Sequence, residues 1–191
     1  MPKLYFKYGA MGSSKTAQAL MVKFNYEEKG YRVALMKPSV DNRDGQTIVK
    51  SRIGLQDTGI LVDRNLNLYD WYLKNNYDVL IIDEAQFLSG VQIEQLKDIA
   101  MEFVPVLCFG LKTDFQTHMF EGSKRLFEIA DSLTEIKSVC TCGRKAEVNA
   151  RIHNGQIVRE GEQVVIGGNE SYIGLCYKCW KKGEIGTVPQ K

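Results

Sequence analysis

A chain of 191 residues, 44% apolar and 25% charged, has the composition of a globular protein with one good core and room for a small appended module. A formal net charge of +2 supplies no broad field toward nucleic acid or a membrane surface, and no apolar run approaches spanning length. Met1-Pro2-Lys3 runs into an apolar stretch without the architecture of a signal peptide, so the expected compartment is the cytoplasm.

Leu4–Tyr8 reads as a strand. It leads into Gly9-Ala10-Met11-Gly12-Ser13-Ser14-Lys15-Thr16, a glycine-containing loop that opens a helix running to about Lys29. Strand, tight loop and helix in that order turn successive N–H groups toward one point, where the helix start adds partial positive charge. Lys15 then reaches the β- and γ-phosphates of a nucleoside triphosphate, and the Thr16 hydroxyl ligates Mg²⁺. Ser14 stands where the P-loop pattern asks for glycine, and a serine is expected to fit there if its φ is negative. The helix is expected to bury Ala17, Leu20, Met21 and Phe24 on one face and to end at Gly30.

Arg32–Lys37 is a second strand. From Ser39 to about Gly59 the chain is polar and punctuated by glycines, which reads as a long loop serving as a lid. Arg43 and Arg52 are its candidates for covering a transferring phosphoryl group, against the plainer reading of exposed loop arginines. Leu66–Asn75 reads as a helix. Asp78–Asp83 is a nearly continuous apolar strand ending in an acid, the arrangement that places a carboxylate in the Mg²⁺ shell beside a P-loop. Asp83 takes that role, and the adjacent Glu84 is placed to polarise a nucleophile. Water as nucleophile would make an ATPase and an acceptor hydroxyl would make a kinase; these two motifs leave that choice open.

A helix from Ser89, its expected N-cap, to about Phe103, a strand at Pro105–Phe109 and a helix at Ser123–Ala130 continue the alternation. The fold implied is α/β, a P-loop (RecA-like) parallel sheet with helices on both faces. Cys108, inside an apolar run, reads as a small buried hydrophobe. Past Ser138 the texture changes. Lys145–Ile152 and Gln163–Ile166 read as short antiparallel strands, bracketed by Cys140-Thr141-Cys142 and Cys176-Tyr177-Lys178-Cys179. Four reduced thiols on two short knuckles suit a closed tetrahedral Zn²⁺ site that staples a segment too small for its own core, with buried free thiols or redox partners as the alternative. The expected division is 1–137, with the lid at about 39–59, and a zinc-stapled, β-rich C-terminal domain at 138–191. Between the knuckles, Val164–Tyr172 contains Gly167-Gly168, which would expose main chain able to match the edge of a pyrimidine, with Tyr172 over sugar or base; a plain hairpin turn is the simpler alternative.

Taken in order along the whole chain, these segments resemble the thymidine kinases of the type that includes the cytosolic vertebrate enzyme and many bacterial ones. The matching residues are Gly9–Thr16, Asp83-Glu84-Ala85-Gln86-Phe87, Phe109–Phe115, Val165-Ile166-Gly167-Gly168 with Tyr172, and the four cysteines. The resemblance implies transfer of the γ-phosphate of ATP to the 5′-hydroxyl of thymidine or deoxyuridine, in nucleotide salvage and DNA precursor synthesis, with Mg²⁺ accompanying ATP. It implies Glu84 as catalytic base, aided by Lys15 and Arg43, and groups Asp83 and Gln86 with residues 9–16 around ATP. It assigns base binding to a main-chain clasp at Val164, Val165, Ile166, Gly167, Gly168 and Tyr172, and to an apolar pocket of Met11, Phe87, Leu111, Phe115 and Phe120. It also implies a homotetramer inhibited by thymidine triphosphate, acting on neither nucleic acid nor membrane. The first knuckle, C-x-C, is shorter than the C-x-x-C of many members and matches some bacterial ones.

Overall fold

A computed structural model of the chain describes residues 3–40, 47–164 and 171–186. β1 (Leu4–Tyr8) is followed by α1 (Lys15–Glu27), β2 (Val33–Pro38), and an antiparallel hairpin of β3 (Ile48–Lys50) and β4 (Gln56–Thr58). Then come β5 (Ile60–Val62), α2 (Leu68–Asn75), β6 (Val79–Ile82), α3 (Gly90–Glu102), β7 (Val106–Gly110), α4 (Glu121–Ile129) and β8 (Ser132–Glu135). Six of these strands form one sheet in the order β5-β2-β6-β7-β1-β8, and its pairings are parallel.

Alternation along each strand divides the core into two layers. Leu4, Phe6, Met36, Leu80, Ile82 and Cys108 face the side covered by Leu68 of α2, Leu96 of α3 and Leu126 of α4. Leu35, Val79, Ile81, Leu107 and Phe109 face the other side, covered by Ala19 and Leu20 of α1. Helices therefore lie on both faces, as the alternating pattern implies. Cys108 is fully buried and burial pushes its thiol far up, which leaves it an inert core side chain. Ser89 caps α3 reciprocally: its hydroxyl accepts from the Gln92 N–H and its own N–H donates to Gln92 Oε1, both at 3.2 Å. Among the described residues no helix is long and apolar enough to cross a membrane.

Several elements depart from the sequence pattern. On α1, Ala17 and Leu20 are buried as expected, but Met21 and Phe24 are 55% and 65% exposed. A helix face is buried only as far as its partner surface extends, and here Met21 and Phe24 flank a groove beside hairpin residues Leu55, Gln56 and Asp57. The stretch from Ser39 to Gly59, expected as loop, contains the β3–β4 hairpin. That hairpin buries Val49 against the α1 layer and ties Asp57 to Lys23 of α1 at 2.6 Å. The edge strands β5 and β8 are three and four residues long and carry no clear periodicity.

The remaining strands, β9 (Val148–His153), β10 (Gln156–Val158) and β11 (Ser171–Leu175), form a separate antiparallel sheet in the order β10-β9-β11, followed by α5 (Tyr177–Lys182). Asn154-Gly155, with φ of 48° and 74°, closes the β9–β10 hairpin with the two left-handed residues such a turn requires. Of the strand expected at Gln163–Ile166, Gln163 and Val164 are irregular and the rest lies outside the described residues; β9 pairs instead with β10 and β11.

α4 rests directly on the turn after β6. A Cβ on Gly122 would stand 2.6 Å from the Ala85 carbonyl oxygen and 2.7 Å from that of Leu88. Because both neighbours are backbone, they cannot swing aside. Gly122→Ala is expected to lower unfolding free energy by about 1–3 kcal/mol, read from the urea midpoint at unchanged m-value.

Candidate active site

The carboxyl ends of β1 and β6 carry the two halves of the site. After β1 the chain turns through Gly12 and Ser14, at φ 78° and 62°, and the Ser13 N–H closes the turn on the Ala10 carbonyl at 3.2 Å. Alternating backbone hands of this kind form a concave nest of N–H groups suited to an anion. Ser14 corrects the expectation of a negative φ: it is left-handed, at φ 62° and ψ 26°, and makes no side-chain cap to α1. A β-carbon in that conformation costs about 1–2 kcal/mol.

Lys15 is buried within the loop. Its ammonium donates to the carbonyls of Gly9 at 3.1 Å and Ala10 at 2.8 Å, and to the Ser13 hydroxyl at 3.2 Å. The Thr16 hydroxyl donates to Asp83 Oδ2 at 2.8 Å, which sets two hard oxygen donors side by side where a Mg²⁺ shell would need them. Burial first, and then the Glu84 charge, raises the Asp83 carboxyl to about 7, while the Thr16 hydrogen bond opposes the rise. A dication held there would reverse that balance.

Glu84 is also left-handed, at φ 52° and ψ 37°. For a non-glycine residue this is stored strain of the kind that collects at functional sites. Its Oε2 accepts a hydrogen bond from Gln86 Nε2, and Gln86 Oε1 accepts from the Leu111 N–H at 3.1 Å. Gln86, 2% exposed, is thus a strut between the end of β7 and the carboxylate. Gly110 makes room for it, since a Cβ there would lie 2.6 Å from Gln86 Oε1.

Residues of this turn line two cavities. The first, about 430 Å³, is lined by residues 11–17, residues 50–54 and Glu84. The second, about 240 Å³, is lined among others by Gln86, Phe87, Phe120 and Val164, with Phe87 and Phe120 edge-to-face at 5.5 Å. Gln86, read from sequence with the ATP residues, lines this second cavity, and Met11, read both with the ATP residues and with the base pocket, lines the first. Leu111 and Phe115 are buried, and Phe115 lies under the Arg151 guanidinium at 3.6 Å. Tyr172 sits on β11, its hydroxyl accepting from Arg151 Nε at 2.7 Å. Arg43, Val165, Ile166, Gly167 and Gly168 lie outside the described residues.

Two buried polar residues had no motif to announce them. Asn149, 3% exposed, accepts from the Met11 N–H and donates to the Thr113 carbonyl, each at 2.7 Å. Arg151, 1% exposed, donates to the carbonyls of Glu162 at 2.8 Å and Gln163 at 3.3 Å. β9 alternates apolar and polar residues, a pattern that predicts Asn149 and Arg151 on a solvent face, yet both are buried.

The four paired cysteines converge: their sulfurs all lie within 4.8 Å of one another, with Cys140–Cys142 at 3.5 Å and Cys142–Cys176 at 3.7 Å. Four thiolates on one metal at bonds of about 2.3 Å have comparable spacing, so the cluster fits a single ion. Burial alone would raise the Cys140 thiol, but the N–H groups of Cys142 and Cys176 outweigh it and bring it to about 6. Cys179 is pushed up to about 12, first by the Cys142 thiol and then by burial. The four sulfurs could together hold one metal ion, whose charge would draw off their protons.

A phosphate nest, a Thr–Asp oxygen pair beside it and a carboxylate on a strained turn are the parts of a P-loop nucleoside triphosphate site. A sequence model of the thymidine kinase family matches residues 2–180. A thymidine kinase of Lactobacillus acidophilus is 46% identical over 189 residues, covering 92% of this chain and 94% of its own. One from Legionella pneumophila strain Paris is 45% identical over 198 residues, covering 100% and 95%, and one from Streptococcus pyogenes serotype M3 is 44% identical over 189 residues, covering 97% and 100%. The chain belongs to the thymidine kinase family.

Ser14→Gly removes a β-carbon from a left-handed position at which the side chain caps nothing. Part of the gain is lost to the freer unfolded chain, so the net stabilisation is expected at about 0.5–1 kcal/mol, measured by chemical denaturation, with ATP affinity retained.

Proposed function

We propose that this chain transfers the γ-phosphate of ATP to the 5′-hydroxyl of thymidine, and of deoxyuridine, in nucleotide salvage. The observation that carries the reading is the position of Glu84. It lines the triphosphate-sized cleft, while Gln86 and Phe87, next along the same turn, line the aromatic cavity. A carboxylate at that junction can serve an acceptor bound on one side and a phosphoryl donor bound on the other. The sugar oxygen forms its bond to the γ-phosphorus as the bond to the β–γ bridging oxygen breaks, ADP leaves, and the hydroxyl proton passes to Glu84. Gln86 orients the carboxylate for that transfer. Lys15 and the N–H nest offset charge on the phosphates, and Arg43 is the proposed second cation. Thr16 and Asp83 are the residues that would hold Mg²⁺, which supplies charge neutralisation on the phosphate oxygens.

Phe87 and Phe120 supply the apolar walls for the base, with Leu111 and Phe115 assigned to the same pocket and residues 164–172 as the main-chain clasp. Thymidine and deoxyuridine differ by one methyl group, a difference an apolar pocket discriminates only modestly. We assign Zn²⁺ to the cysteine cluster, since four thiolates with no open position suit a structural ion. The division into 1–137 and 138–191, the homotetramer, inhibition by thymidine triphosphate and a cytoplasmic location are part of the same reading; the family resemblance supports them.

Labelled ATP incubated with a nucleoside panel should yield thymidine 5′-monophosphate; ADP release without any labelled nucleotide product would overturn the reading. Glu84→Gln should fold and bind both substrates while kcat drops on the order of 10²–10⁴-fold. Elemental analysis should find one zinc per chain. Cys176→Ser should lose that zinc and lower the thermal midpoint by more than about 5 °C.

A further inference from the structure

Arg52 occupies the tip of the β3–β4 hairpin and lines the first cleft with Lys15, Thr16 and Glu84. The turn that presents it is tightly built. The Ser51 N–H donates to the Leu55 carbonyl at 2.7 Å, the Ser51 hydroxyl accepts from the Leu55 N–H at 3.0 Å, and Gly54 turns the chain at φ 92°. The hairpin is anchored on two sides: Lys23 of α1 pairs with Asp57 at 2.6 Å, and the buried Lys37 of β2 donates to the Ile48 carbonyl at 2.8 Å. These bonds fix the backbone of Arg52 relative to the phosphate loop.

The side chain extends toward that loop. Its Nη1 lies 3.9 Å from the point a Cβ on Gly12 would occupy. Among the described residues no hydrogen bond or ion pair engages this guanidinium. A guanidinium is a fork of donors that matches two oxygens of one phosphate. Here it stands beside an N–H nest, in a cleft that also holds the carboxylate assigned to the transfer. The phosphoryl group nearest Glu84 is the one transferred, so a cation sharing that wall would meet the outermost phosphate.

We propose that Arg52 binds the terminal phosphoryl group of the nucleoside triphosphate, as a cation additional to Lys15. The proposal rests on reading the first cleft as the triphosphate site; it does not depend on which nucleoside accepts the phosphoryl group. It predicts discrimination between triphosphate and diphosphate. The full chain would be titrated calorimetrically, with Mg²⁺ and without nucleoside, using a non-hydrolysable ATP analogue and ADP. Arg52→Gln should weaken the analogue about 10-fold and ADP less than about 3-fold. Arg52→Lys, which keeps charge but not the fork, should fall between wild type and Arg52→Gln for the analogue. A purely structural role for Arg52 would weaken both nucleotides alike. Equal losses for the two nucleotides, or no loss for either, would overturn the assignment of Arg52. Failure of the wild-type chain to bind the analogue would overturn the cleft reading along with it.

Discussion

The backbone of Met11 is gripped by a facing pair of residues from the second sheet, and the rest of the site is arranged around that grip. Asn149 and Gly174 are register partners on β9 and β11. Asn149 takes the Met11 N–H, and Gly174 is bare because a Cβ there would lie 2.8 Å from the Met11 carbonyl oxygen. The phosphate loop is thus welded to a strand pair that also carries Arg151 and Tyr172. Asn149 simultaneously holds Thr113, two residues before Phe115. One amide side chain therefore fixes the triphosphate cleft relative to the aromatic side of the site, and transfer between two bound molecules is sensitive to such spacing.

The four cysteines stand on the same contact. Ala10 packs in one apolar cluster with Cys140, Ala150, Leu175, Cys176 and Cys179. That cluster is too small to hold a three-stranded sheet rigid by burial alone, and a metal bound by four sulfurs would stiffen it.

Of the five described non-glycine residues with positive φ, two belong to the site: Ser14 in the loop and Glu84 after β6. Glu84 is held by Gln86, by Gly110 making room for that amide and by Gly122 letting α4 close on the turn. Three segments far apart along the chain thus impose one backbone conformation and one carboxylate orientation.

The chain by itself determined what local pattern can carry. The phosphate loop, the apolar strand ending in Asp83, the Ser89 cap and the paired cysteines are each contained within a few residues, and strand–helix alternation then prescribes a parallel sheet. Tertiary structure decided the rest: the burial of α1 at Ala19 and not at Phe24, the hairpin inside an apparently irregular stretch, the hand of Ser14, and Gln86 as a strut for Glu84. It also decided the bond from Met11 to Asn149, two residues 138 apart in sequence. Periodicity reports which side of an element is apolar, but only the assembled neighbours fix how far that side is covered and which buried polar group answers another.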